Sequence, residues 1–229
     1  MKYTNTQFII VPNKLLLDKR VKNHYKYIYL CIRSFINEYD ISYPTKERIA
    51  SMAKCSISTV NMAIKILAEL EYIEVYLDKE HKKIIYIFPD KNEDFSMISY
   101  NLIYTKNLDI SEKKYLLALY PHLTIQEDIG YIIGTKQYIS KLVNINRQTF
   151  KLLNKSLVEK GILEINDNTG NNVVRDYMFN LSYIQSPYNN KQSEDEYTLD
   201  KAIEVLKEMK SELAELMEEN RRLKESINR

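Results

Sequence analysis

Tryptophan is absent from this 229-residue chain, and glycine (four), proline (five), histidine (three) and cysteine (two) are scarce. Each shortage excludes a class of chemistry. None of the glycines sits in a phosphate-cradling loop followed by Lys-Ser/Thr, and Gly130-x-x-x-Gly134 reads as a flexible loop. His24, His81 and His122 lie far apart, with no cysteine or acidic partner at ligand spacing, so no metal and no other cofactor is expected. Cys31 and Cys55 stand in apolar helical contexts and read as reduced core residues. No serine or cysteine has an activating neighbourhood, and Glu127-Asp128 is a lone acidic pair of the solvated-loop kind. The expectation is a protein that is not an enzyme. No apolar run approaches the ~18 residues of a membrane span. The patch Phe8 to Val11 breaks at Pro12 without a small-residue cleavage site, which points to a cytoplasmic chain with no membrane partner.

What the chain does have is an internal echo. Thr45 to Val75 (TKERIASMAKCSISTVNMAIKILAELEYIEV) recurs without gaps ninety residues later as Thr135 to Ile165 (TKQYISKLVNINRQTFKLLNKSLVEKGILEI). Eight of the 31 positions are identical: Thr45/Thr135, Lys46/Lys136, Ile49/Ile139, Thr59/Thr149, Lys65/Lys155, Leu67/Leu157, Glu69/Glu159 and Glu74/Glu164. Most other apolar positions exchange one hydrophobe for another. A period this long is too large for a solenoid unit and is the size of a small domain.

In the first copy, residues 8–22 read as a short strand and a short helix beginning near Pro12. Asn23 to Asn37 carry a helical stripe at Tyr27, Ile28, Cys31, Ile32, Phe35 and Ile36. Thr45 can cap a helix through Ala53, Lys54-Cys55-Ser56 turns, and Ser56 can cap a second helix to about Leu70. That helix turns Val60, Ala63, Ile64 and Leu67 inward and leaves Ser58, Thr59, Asn61, Met62 and Lys65 outside. Two β-prone runs, Ile73 to Leu77 and Ile84 to Phe88, flank a charged tip with Lys79, Lys82 and Lys83, the pattern of a hairpin. Helix, helix-turn-helix and hairpin in this order make a winged helix, whose second turn helix can enter a major groove while the hairpin reaches phosphates.

The run PNKLLLD…YKYIYLCI…YPTKERIASMA…CSISTVNMAIKILAELEYIEV resembles the winged-helix domain at the start of many plasmid and phage replication proteins and of some bacterial regulators. The resemblance covers about Phe8 to Phe88, with Ser56-x-Ser58-Thr59-Val60 and Ala63-Ile64-Lys65-x-Leu67-x-x-Leu70 as its best motif. It implies double-stranded DNA as partner, contacted through Ser56, Ser58, Thr59, Asn61, Met62, Lys65, Lys79, Lys82 and Lys83. It does not choose between replication and regulation. Family members often have glycine just before the wing; this chain has Glu71-Tyr72 there.

The second copy repeats the plan. Ser111 can cap a helix from Glu112 to Tyr120, which Pro121 ends. Thr135 opens the turn pair, and Asn146 can cap the helix Arg147 to Lys160, with Gly161 at its stop. Ile162 to Asn166 and Val173 to Leu181 form the hairpin, with residues 167–172 as its tip. Arg147, Gln148, Thr149, Lys151 and Lys155 face outward as further candidate DNA contacts. Asn154 stands where the first copy has Ile64, so this core is less cleanly apolar. Charge separates the copies: residues 1–90 carry 14 Lys/Arg against 10 Asp/Glu, residues 91–185 carry 11 against 10, and residues 186–229 carry 8 against 11. The first copy is the more suited to a polyanion.

Residues 186–198 read as a linker. From Leu199 a heptad pattern places Leu199, Leu206, Leu213, Asn220 and Ile227 at a, and Ala202, Met209, Leu216 and Leu223 at d. One Asn at an a position favours a registered two-stranded coil, hence a homodimer. A rival frame through Ile203, Lys210 and Met217 puts lysine in the seam. The expected architecture is mainly α with small β-hairpin wings (α+β): tandem winged-helix domains at 1–90 and 91–185, a linker, and a coiled-coil helix at 199–229. Three roles use these parts: a dimeric transcriptional regulator of a mobile element or phage, a replication initiator that binds origin repeats and recruits a host replication protein, or a segregation or adaptor protein that couples DNA to a partner protein.

Overall fold

A computed structural model describes residues 8–37, 39–79, 81–89, 94–126, 129–166, 175–182 and 184. The linker, the heptad helix with its seam from Leu199 to Ile227, the second hairpin tip and Glu127-Asp128 lie outside the described residues. The fold is α+β. The first copy runs β1 (Phe8–Pro12), α1 (Asn13–Leu17), α2 (Asn23–Arg33), β2 (Ile41–Ser42), α3 (Lys46–Ala53), α4 (Ile57–Glu69), β3 (Glu74–Asp78) and β4 (Lys83–Ile87). The second runs β5 (Phe95–Ser99), α5 (Asn101–Tyr104), α6 (Ile110–Leu119), a 3-10 turn (Tyr120–His122), β6 (Thr124–Gln126), β7 (Ile129–Gly134), α7 (Lys136–Leu142), α8 (Arg147–Glu159), β8 (Leu163–Asn166) and β9 (Arg175–Asn180).

The echo in the sequence is an echo in the backbone. Thr45 and Thr135 each accept a hydrogen bond from the backbone N–H three residues on, at Arg48 (3.2 Å) and Tyr138 (3.0 Å). Ser56 and Asn146 do the same for Thr59 (3.1 Å) and Thr149 (2.8 Å). These bonds satisfy helix-end donors that would otherwise lack partners. The turns match as well: Lys54 (φ 45°) and Asn144 (φ 52°) are both left-handed. Burial along the two helix pairs follows the same order residue by residue, from Lys46 to Leu67 and from Lys136 to Leu157.

The repeat extends further than the sequence alone displays. β1 and β5 lie 87 residues apart, and so do two buried lysines. Lys26 donates from Nζ to the Leu16 carbonyl (2.6 Å), and Lys113 to the carbonyls of Ile103 (2.6 Å) and Thr105 (2.7 Å). Each amine satisfies carbonyls at the end of a short helix, α1 or α5. Burial pulls the Lys26 amine down to about 8, with Asp18 opposing the shift, and burial lowers Lys113 too.

The two copies meet reciprocally. β1 pairs antiparallel with β5 in the register Phe8↔Ser99, Ile10↔Met97 and Pro12↔Phe95. Since Phe8, Ile10 and Pro12 correspond to Phe95, Met97 and Ser99, Phe8 faces the counterpart of Pro12, Pro12 faces the counterpart of Phe8, and Ile10 faces its own. That is the contact pattern of a two-fold axis. α2 packs on α6, its own counterpart. Asn23 Nδ2 donates across to the Val143 carbonyl (2.6 Å) and Tyr100 Oη to the Ser34 carbonyl (3.3 Å). One apolar core runs through both, from Ile9 and Val11 to Phe179 and Leu181. The described residues belong to a single compact unit, Met1–Asn189. The two copies therefore share one compact unit.

Several expectations need correction. α2 ends at Arg33, short of Asn37. α6 begins at Ile110, and its cap is Asp109, not Ser111: Asp109 Oδ1 accepts from the Ser111 and Glu112 N–H groups, and Glu112 reaches back to the Asp109 N–H (2.7 Å). This is a capping box. Gly130-x-x-x-Gly134 is no loop but strand β7, which extends the second sheet to the order β6-β7-β9-β8, against β2-β4-β3 in the first. A Cβ on Gly130 would sit 2.6 Å from the Leu123 side chain, so glycine permits that close packing. Asn154 is no flaw in the core: its Oδ1 accepts from the Tyr115 hydroxyl (2.7 Å), where the first copy has Ile64 and Ile28.

Candidate nucleic-acid interface

α4 is amphipathic for a local reason. Its residues Val60, Ala63, Ile64 and Leu67 are buried in the core. That fixes the opposite face, and Ser58, Asn61, Met62 and Lys65 are all exposed, with Met62 at 51%. The hydroxyls of Ser56 and Thr59 lie 2.9 Å apart, and the Ser56 oxygen already accepts the Thr59 N–H, so both residues serve the helix start. Lys65 Nζ stands 3.8 Å from Glu69 Oε1. Both side chains are exposed, so water screens the pair and it stabilises little.

Residues 70–73 lead from α4 to the β3–β4 hairpin. Its register runs from Glu74↔Ile87 to Asp78↔Lys83. The Asp78 carboxylate accepts the His81 N–H (3.1 Å) and lies 2.8 Å from its Nδ1, and Lys82 takes a left-handed φ of 51°. Lys79, Lys82 and Lys83 are exposed around this tip. The start of the hairpin is tethered. The Tyr72 hydroxyl donates to Asp18 (3.0 Å), which also accepts three hydrogen bonds from the Arg20 guanidinium at 2.7–3.1 Å. The Arg20 side chain holds the Asp18 carboxyl down to about 2 against the opposing pull of burial, with the Arg20 N–H and Tyr72 adding to the effect.

α8 presents Arg147, Gln148, Lys151 and Lys155 outward, while Thr149 is half-buried beside its cap. Lys155 lies 3.8 Å from Glu159, repeating the Lys65–Glu69 pair. Here the structure refines the charge reading. By segment the first copy is the more basic, yet α8 carries three outward cations and α4 one. The first copy concentrates positive charge in the hairpin, the second on the helix. Two cations that the sequence did not single out, Lys136 at the start of α7 and Arg175 on β9, flank α8. The Lys46/Lys136 identity was a visible signal for one; nothing pointed to the other.

α8 is held differently from α4. Glu112, fully buried on α6, receives Lys160 Nζ (2.6 and 2.7 Å) and the Ser156 hydroxyl (2.6 Å) as well as its own cap N–H. The corresponding positions of the first copy are Tyr25, Ile66 and Leu70.

Among the described residues no group of His, Cys, Asp or Glu could hold a metal ion, and no helix is long and apolar enough to cross a membrane. No family model matches the sequence. No curated protein matches it either. Among solved structures, one described as the Pi initiator protein in complex with iteron DNA is similar at 14% identity and a TM-score of 0.39, covering 77% of this chain and 98% of that one. A superposition of that quality fixes neither family nor partner.

Proposed function

We propose that this chain is a site-specific double-stranded DNA-binding protein built from two winged helices, without enzymatic activity, acting as a dimeric transcriptional regulator of a mobile element or phage. The observation that carries the reading is the exposed face of α4. It offers a hydroxyl, an amide and an ammonium at Ser58, Asn61 and Lys65 on a helix whose other face is locked into the core. Such donors read base edges in a major groove. The lysine-bearing hairpin supplies the sequence-independent phosphate contacts. α8, with Arg147, Gln148, Lys151 and Lys155, is the second reading head. Dimerisation is assigned to the heptads of residues 199–229; a peptide of that segment that stays monomeric and unfolded at high concentration removes it.

Selection of bound duplex from a random pool tests the reading. A defined motif is expected, and two unlike half-motifs appear if α4 and α8 both read bases. Recovery of no preferred sequence overturns it. The role follows from where the motif lies. Occupancy upstream of the protein's own gene, with repression there, supports regulation. Loss of replicon maintenance on deletion, rescued by a second origin, assigns the binding to initiation instead.

A further inference from the structure

The second sheet has an outer face that duplex reading leaves unused. Its inner face carries Gly130, Ile132, Tyr177 and Phe179 into the core, all buried, with Tyr177 edge-on to Phe150 of α8. Strand residues alternate between faces, so the residues between these point away from α8. In an antiparallel sheet covered on one side, such positions are normally polar. On β7 they are Ile129, Tyr131 and Ile133, with Ile129 41% and Ile133 64% exposed. The register sets Met178 of β9 opposite Tyr131 and widens the stripe. A contiguous apolar patch of this kind marks an interaction surface.

Charge and span say what fits it. Glu164 lies opposite Met178, and Asp176 opposite Ile133, so carboxylates border the stripe at two points. Glu127 and Asp128 join β6 to β7 just before Ile129. Among the described residues no lysine or arginine holds an outward position on this sheet. The first copy lacks the pattern. Counted from Tyr86 and Tyr177, which pair with the matching residues Val75 and Ile165, Ile85 stands where Asp176 stands, and Lys83 adds a cation on the same side of its strand. A face bordered by carboxylates alone repels a phosphate backbone and attracts cations. Ile129 and Ile133 are four strand residues apart, roughly 13 Å. Apolar residues at i, i+4 and i+8 of an α-helix cover about 12 Å, so a helix laid along β7 sets one of them against each of Ile129, Tyr131 and Ile133.

We propose that this outer face docks a basic amphipathic helix of a partner protein. The helix places its apolar side chains on the Ile129–Tyr131–Ile133 stripe and its lysines or arginines against Glu164. The face lies across the sheet from α8, and the docking does not rest on duplex reading.

The test is selection of bound peptides from a random library displayed on phage, with the full chain as bait and no duplex present, followed by fluorescence anisotropy of the recovered peptides. Enriched peptides are expected to carry apolar residues three or four apart, flanked by lysine and arginine. The double substitution I129T/I133T should weaken them at least about tenfold, and E164K at least about threefold. No enrichment overturns the proposal. So do enriched peptides that lack an excess of cations, that alternate apolar and polar residues as a strand does, or that bind both variants as tightly as the parent. A change in the sedimentation of the full chain on I129T/I133T would assign the face to a second copy and overturn it as well. Ile129, Ile133 and Glu164 are all exposed, and threonine keeps the β-branch that suits a strand, so both variants should fold. Thermal melting checks this, and E164K decides the matter if the double variant unfolds.

Discussion

Glu71 and Gly161 occupy the same place in the two copies, directly after a helix, with φ of 59° and 67°. Glycine adopts that conformation freely, whereas a side chain strains it. Glu71→Gly is therefore expected to raise stability by about 1 kcal/mol in urea unfolding, and a drop in stability would mean that the Glu71 side chain makes an interaction outweighing the strain. Asp18 supports a prediction in pH. Its carboxyl is held at about 2 against an ordinary 3.8. The stabilisation it provides is complete above pH 4 and disappears as pH falls through about 2. Asp18→Asn should thus be less stable than the parent at neutral pH, with the gap closing between pH 4 and 2; a constant gap contradicts the assignment. At this scale the sequence is legible wherever the physics is local. Thr45, Ser56, Thr135 and Asn146 are caps that bond only three residues ahead. The Asp109-x-x-Glu112 box is equally local, but Ser111 stood as a competing cap. The burial of Glu112 is another matter, because it depends on Ser156 and Lys160, 44 and 48 residues away.

The helices and the hairpins diverge between copies in how they are held. Where the first copy has Tyr25 on α2, Ile66 on α4 and Leu70 just after α4, the second has Glu112 on α6, Ser156 on α8 and Lys160 just after α8. Glu112 is buried but Lys160 is partly exposed and can turn to water, so Glu112→Ala, which removes the pair along with the Ser156 and Asp109 bonds, should cost about 1–3 kcal/mol. Installing the first copy's residues together, Glu112→Tyr with Ser156→Ile and Lys160→Leu, should come out roughly neutral, because burying a pair offsets its Coulomb gain with desolvation. A triple variant as unstable as the single one would show that the ion pair is a net stabiliser. In the first hairpin, Lys79, Lys82 and Lys83 are exposed around a tip fixed by Asp78. Replacing all three with alanine should lower the slope of log affinity against log salt by roughly one for each phosphate the lysines had neutralised, without changing the preferred sequence. An unchanged slope removes the hairpin from the interface. The hairpins were readable from paired β-prone runs flanking polar tips. β7 is not, because its two glycines mimic a loop, and only the packing of Gly130 against Leu123 and Leu181 and of Gly134 against Tyr138 and Ile139 accounts for them.

Over the whole molecule, the ninety-residue echo becomes a reciprocal assembly. The pairing of β1 with β5 and the packing of α2 on α6 join the copies as a symmetric dimer joins its subunits, within one chain and over one core. Self-pairing of Ile10 with Met97 could not be read from sequence, because β1 and β5 share little beyond their leading phenylalanine and their strand propensity. Two helices related in this way, with different outward residues, suit two unlike half-sites in opposite orientation. The central claim is that α4 reads bases, and it rests on three side chains. The decisive measurement is the affinity of the Ser58→Ala, Asn61→Ala, Lys65→Ala variant for the selected duplex and for an unrelated one. Each good base-edge interaction is worth about 1–3 kcal/mol. Without them, affinity for the selected site should fall at least about tenfold towards that for the unrelated duplex, which itself changes little. Unchanged affinity with unchanged sequence preference would contradict the claim.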